Sequence, residues 1–403
     1  MASPALRIED WILPSTFDDV FYQWLGIADA TDLFKKLEFL TQSDVLQNRQ
    51  DLRDAYCHIL RPAILQKKNA PASKPRIFRV VELSDDATPN TGMDIHVQDD
   101  NGTVRRLVSV LVLVSPGVKI IVADAINALI QLISFFINVS DEAQARDRLI
   151  LAYYISSLVF DPDDMPSVWS AALFLSGQSR SQPAAGVANA LSACTTPGQW
   201  GSWAKEKKAL VSARRAEFES LLGPEAFAGL RAAEEQGRAL HDAGAMPSSR
   251  AEIANCAETI VFFWICRTLK GESPQAKLAG LTIRIIGLQN KVLPDIVQGL
   301  QRDRLTMNPQ GLRSALATRL SPPPLNVQPR SKGIRWAIAP CWRCQTLGAS
   351  VYELAAKFKV TLVVEHLKGT GVIWQKWDIS TVSALVQKWT NHAQKQPPSR
   401  GGK

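Results

Sequence analysis

Histidine is scarce in this sequence: five occur in 403 residues, at positions 58, 96, 241, 366 and 392, and no two stand at metal-ligand spacing. Acid–base chemistry built on imidazole therefore has little material to work with. The chain also lacks a Gly-x-x-x-x-Gly-Lys-Ser/Thr phosphate loop, a Gly-x-Gly-x-x-Gly turn, a His-Glu-x-x-His helix and a Gly-x-Ser-x-Gly elbow. Its acidic pairs, Asp85-Asp86, Asp99-Asp100 and Asp163-Asp164, fall in segments read as turns, where Asp caps the backbone. The expectation is a protein that is not an enzyme and needs no cofactor.

Cysteine is thin and unevenly spaced, at 57, 194, 256, 266, 341 and 344. That pattern reads as free thiols in a reducing compartment. Cys341-Trp-Arg-Cys344 is a lone Cys-x-x-Cys. Zinc takes four ligands, no second pair is present, and the spacing of His366 and His392 does not recommend them, so no metal is expected. A basic leader followed by an apolar core is missing from the first residues, so no signal peptide is expected. Residues 120–139 are apolar for a bilayer's length, yet Asp124, Asn127, Gln131 and Ser134 recur near helical spacing, which favours a core helix over a membrane span.

What the chain has is a division of charge. Residues 1–200 carry 17 basic and 23 acidic side chains, a net of −6, and residues 201–403 carry 29 and 15, a net of +14. The stretch 319–403 alone holds 13 basic and 3 acidic residues, a net of +10, interleaved with Trp336, Trp342, Trp374, Trp377 and Trp389. Lys and Arg neutralise phosphates and release counterions, and flat aromatics stack bases, so this half suits a single-stranded polyanion.

Periodicity predicts a mainly α protein: two helical lobes, a small β insert at about 76–122 and a small mixed C-terminal unit. Cap residues followed by apolar stripes place helices after Thr16, Thr31-Asp32 and Ser43-Asp44 within an N-terminal segment or arm, 1–70. A first lobe spans 71–200, with alternating strands at 77–83, 93–98 and 104–114. A helical second lobe spans 201–320, and from 120 to 320 every apolar run, including 166–176, 184–194 and 275–300, reads as helix. Ser321-Pro322-Pro323-Pro324 opens a basic C-terminal unit, 321–393, with a helix at 352–359, strands at 360–366 and 371–377 and a helix at 380–393. A basic tail, 394–403, reads as disordered. Phe21, Trp24 and Phe34 near the N-terminus and Trp389 near the C-terminus read either as local core or as parts of arms docking on neighbouring copies.

The candidate binding groups are cations near aromatics. Lys205, Lys207, Lys208, Arg214 and Arg215 follow Trp200 and Trp203 on one helix, although Glu206, Glu217 and Glu219 interrupt them and a solvated face would look the same. Arg302, Arg304, Arg313 and Arg319 follow, and Arg330, Lys332, Arg335 and Arg343 flank Trp336 and Trp342.

Length, two helical lobes, an early strand-containing segment, basic residues toward the lobe junction and a basic C-terminus together resemble the nucleoproteins of negative-strand RNA viruses, in particular those of the non-segmented order. The resemblance covers most of the chain and is one of layout; the aromatic segment ending near Ser-x-Ala-Met-Gly of better-known members is missing, so no residue is carried over by motif. It implies single-stranded RNA clamped without sequence preference between lobes, arms linking subunits into a ring or helical filament, partners such as a viral phosphoprotein and polymerase, and a place in the virion and host cytoplasm. The alternative is a structural capsid or helical adaptor protein that assembles without a dedicated RNA groove.

Overall fold

The computed structural model describes residues 16–42, 46, 48–72, 79–83, 95–98, 104–107, 122–176, 187–194, 204–242, 256–278, 281–321, 337, 341–368, 373–377 and 382–395. The chain is mainly helical. Thr16 opens α1 (Phe17–Leu25) by accepting the Asp19 amide at 3.2 Å, with Asp18 and Asp19 at the positive end of the helix. Phe21 and Trp24 are fully buried beside α2 (Ala30–Gln42), so they are local core. The helix α3 (Gln50–Ala55) runs through one π turn at 56–60 into α4 (Arg61–Asn69). Pro62 has no N–H to give, and the Arg61 amide reaches back five residues to the Tyr56 carbonyl.

The early insert folds as expected into an antiparallel three-stranded sheet of β1 (Arg79–Leu83), β2 (Ile95–Gln98) and β3 (Val104–Leu107), bulged between Val80 and Glu82. The apolar run at 120–139 is α5 (Val122–Phe136), buried in the core. No helix among the described residues is long and apolar enough to cross a membrane. Asp141 caps α6 (Glu142–Ser157) by accepting the Gln144 amide at 2.7 Å.

The expectation that every apolar run from 120 to 320 is helical is overturned at three places. Residues Val168–Ser176, Val187–Cys194 and Leu281–Gln289 are strands, β4, β5 and β6. Between and after them lie α7 (Ala204–Leu222), α8 (Pro224–Asp242), α9 (Glu258–Lys270), α10 (Pro274–Leu278), α11 (Leu293–Arg304) and α12 (Pro309–Leu320). The C-terminal part adds α13 (Trp342–Lys357), β7 (Val363–Lys368), β8 (Ile373–Lys376) and α14 (Val382–Lys395). The five strands from 168 to 376 form one sheet in the order β5-β4-β6-β7-β8, antiparallel except where β6 pairs with β7 in parallel.

This sheet is the centre of the molecule. Alternate residues of β4 feed opposite cores. Trp169, Ala171, Leu173 and Leu175 face α1–α6, α11 and α12, while Ala172 and Phe174 face α7–α9 and α13. The two expected lobes are therefore two helical layers on the two faces of one sheet. The boundaries drawn at 200 and 320 both pass between strands that are hydrogen-bonded neighbours, so neither separates folding units.

Lys36 and Arg148 are buried cations of the first layer. Lys36 is 4% exposed, its ammonium 5.0 Å from the centre of the Trp24 ring, and burial lowers its pKa from 10.5 to about 8. Between those values the unfolded chain binds more protons than the folded one, so this residue's contribution to stability rises with pH across the window. Relative to Lys36→Met, the wild type is expected to gain up to roughly 3 kcal/mol from pH 8 to 10.5. Urea melts of both proteins at several pH values check this.

Candidate functional site

The expected cations whose side chains are described do not converge on one groove. Arg302, Arg304, Arg313 and Arg319 lie on α11 and α12 in the first layer, and Arg214, Arg215 and Arg343 lie on α7 and α13 in the second, with the sheet between them. Lys205, Lys207 and Lys208 fall in the first turns of α7, with side chains outside the described set, and Arg330, Lys332, Arg335 and Trp336 lie outside the described residues.

Most of the described arginines hold the fold together. The Arg313 guanidinium donates to Asp18 Oδ1 at 2.6 Å and to Asp147 Oδ2 at 3.2 Å, and stacks over Phe17 at 4.9 Å. Arg304 stacks over Tyr22 at 4.6 Å and donates to the Tyr22 carbonyl, while the Tyr22 hydroxyl donates back to the Arg304 carbonyl, each at 3.1 Å. Arg319 ties α12 to α11 through Asp303 at 2.5 Å, and Arg215 ties α7 to α8 through Glu234 at 2.8 Å. Arg214 and Arg343 are buried, Arg343 lying 4.3 Å over the ring of Trp342. Arg302 is exposed at the end of α11.

These pairings account for part of the charge division. Asp18, Glu142 and Asp147 come from the acidic half and meet Arg313 and Arg284 of the basic half. Arg284, on β6, pairs with both Glu142 and Glu365, stacks over Trp374 at 5.0 Å and sits beside the Trp374 indole, which donates to Glu142 at 2.7 Å. Lys357 and Lys359 at the end of α13 and Lys376 on the edge strand β8 are exposed.

The second cluster is formed by thiols, and local spacing marked only two of its members, Cys341 and Cys344. Cys256 precedes α9, Cys341 is the N-cap of α13 and Cys344 lies in its first turn. Cys256 Sγ is 3.5 Å from Cys341 Sγ, Cys341 Sγ is 3.6 Å from Cys344 Sγ, and all three sulfurs lie within 4.8 Å of one another. Glu258, also buried, brings Oε2 to 3.4 Å from Cys344 Sγ. Burial, then the nearby Cys341, push the Glu258 pKa up to about 7. Cys341 is held well below the ordinary thiol range, chiefly by its hydrogen bonds with Cys256 and then Cys344, and Cys344 is pushed up by its hydrogen bonds with Cys256 and then Cys341. Cys256 lies 85 residues from Cys341 in the chain, so only the packing of α9 against α13 brings them together.

No family model matches this chain, and no curated protein or solved structure matches it either.

Proposed function

We propose that the protein binds single-stranded RNA without sequence preference and assembles on it as a nucleoprotein. The observation that carries this reading is the charge of residues 319–403, 13 basic against 3 acidic, one of whose acids, Glu365, is already taken by Arg284. That excess has few internal carboxylates to meet, and Lys357, Lys359 and Lys376 stand on the surface. Binding to the phosphate backbone fits these residues, because lysines on open surface supply charge without reading base edges. The path favoured here follows the C-terminal elements and the segment bearing Arg330, Lys332, Arg335 and Trp336, in place of a cleft between lobes. Arg304, Arg313 and Arg319 act as internal ties.

The 260/280 nm absorbance ratio of the purified protein, read with negative-stain images before and after ribonuclease, tests the reading. A high ratio that collapses on digestion, with rings or filaments, supports it; a protein-like ratio with dispersed monomers overturns it. Titration of a labelled oligonucleotide adds a site-specific check. The variant K357E/K359E/K376E is expected to bind at least tenfold more weakly. The slope of log affinity against log salt is expected to fall by about 2, because each phosphate that a lysine neutralises on a single strand contributes roughly 0.7. Unchanged affinity and slope would remove these lysines from the interface.

A further inference from the structure

We infer that Cys256, Cys341 and Cys344 form a structural zinc site, with the Glu258 carboxylate beside it, Oε2 lying 3.4 Å from Cys344 Sγ. The reading does not depend on RNA binding. It rests on the spacing of the sulfurs. Tetrahedral zinc holds thiolates at about 2.3 Å, which sets sulfurs roughly 3.8 Å apart along each edge of the tetrahedron. The separations of 3.5 and 3.6 Å here fall near that edge. Three thiols packed together cannot all be satisfied by a disulfide, which joins two and needs an oxidant. Metal entry needs none: Zn2+ takes the place of the S–H protons, which leave to solvent.

The surroundings suit a thiolate-bound cation. Cys341 sits at the start of α13, a 16-residue helix whose N-terminal end stabilises negative charge. The cluster is largely shielded from water, with Cys344 and Glu258 buried and Cys256 and Cys341 partly covered. A buried carboxylate against a buried thiol is costly when left without a cation and is neutralised when one binds between them. Soft sulfur donors in this number favour Zn2+ over Mg2+ or Ca2+. Arg343, which stands between the two cysteines of the Cys-x-x-Cys segment, lies folded over Trp342, so its charge adds to the balance beside the thiolates.

A bound ion would staple the start of α9 to the start of α13, both on the second face of the sheet. It would also fix the chain at Cys341, five residues after the expected binding residue Trp336.

Metal analysis of the full chain, expressed with zinc in the medium and purified under reducing conditions, tests the site. About one zinc per chain is expected, retained in C57S and lost in C256S, C341S and C344S. Should those variants fail to fold, cobalt titration of the reduced wild type reads the site directly. Intense thiolate-to-cobalt charge-transfer bands and the strong visible bands of tetrahedral cobalt are expected, and E258Q is expected to weaken cobalt binding at least tenfold. Chelation is expected to lower Tm by about 5 °C or more. Little zinc in the wild type, together with a cobalt spectrum free of thiolate bands, would overturn the assignment. So would a Cys256–Cys341 or Cys341–Cys344 disulfide in peptide maps from a protein that takes up no metal after reduction.

Discussion

Replacing Arg313 with alanine is expected to cost about 3–5 kcal/mol of unfolding free energy, the range seen when one partner of a buried ion pair is removed. Asp147 is 1% exposed, and burial raises its pKa against the opposing pull of Arg146 and Arg313. Without Arg313 its carboxylate keeps only Arg146, at 2.9 Å, while Asp18 is deprived of its 2.6 Å ion pair and Phe17 of its cover. The loss is therefore mostly the penalty of a stranded charge. Asp147→Asn in the same protein removes that charge, so the double variant is expected to recover more than about 1 kcal/mol of the deficit, a coupling that denaturant melts resolve. Additive losses would mean that Arg313 stabilises through Asp18 and Phe17 alone. If instead Arg313 served RNA from the surface, R313A would leave stability unchanged and weaken binding.

The second large effect is at Trp169. This side chain is fully buried on β4 and meets the edge of Tyr153 with ring centres 5.7 Å apart. Truncation to alanine is expected to cost about 3–5 kcal/mol, as for other buried aromatics. Trp169→Phe is expected to cost far less, because the indole N–H has no hydrogen-bond partner and phenylalanine leaves that desolvated donor out. A W169F as damaging as W169A would show that the indole's bulk alone matters. A mild W169A would contradict the central place of β4.

The helical layers, the early three-stranded insert and the C-terminal strands were legible because each shows a clean period or a turn signal. The central strands were not. Val168-Trp-Ser-Ala-Ala-Leu-Phe-Leu-Ser176 is covered on both faces, so it shows no alternation, and a continuous apolar run does not by itself distinguish strand from helix. In β6, Thr282, Ile283, Ile285 and Ile286 form a β-branched cluster that could have decided it. The arginines were visible as charge, but their partners were not. Asp18 and Asp147 lie 295 and 166 residues from Arg313, and no local rule reaches that far. The thiol cluster was half visible: Cys341 and Cys344 stood out, whereas Cys256 and Glu258 join them only through packing.

The strand order carries a consequence for how the chain is made. When β4 and β5 leave the ribosome they can pair with each other, but the other edge of β4 must wait for β6, roughly a hundred residues later. At translation rates of about 5–20 residues per second that edge stays unpaired for roughly 5–20 s. An apolar, Ala- and Leu-rich edge left open for that time is a template for the wrong partner. Slowed synthesis or truncation between 195 and 280 should therefore yield insoluble or chaperone-held product, whatever the stability of the finished fold.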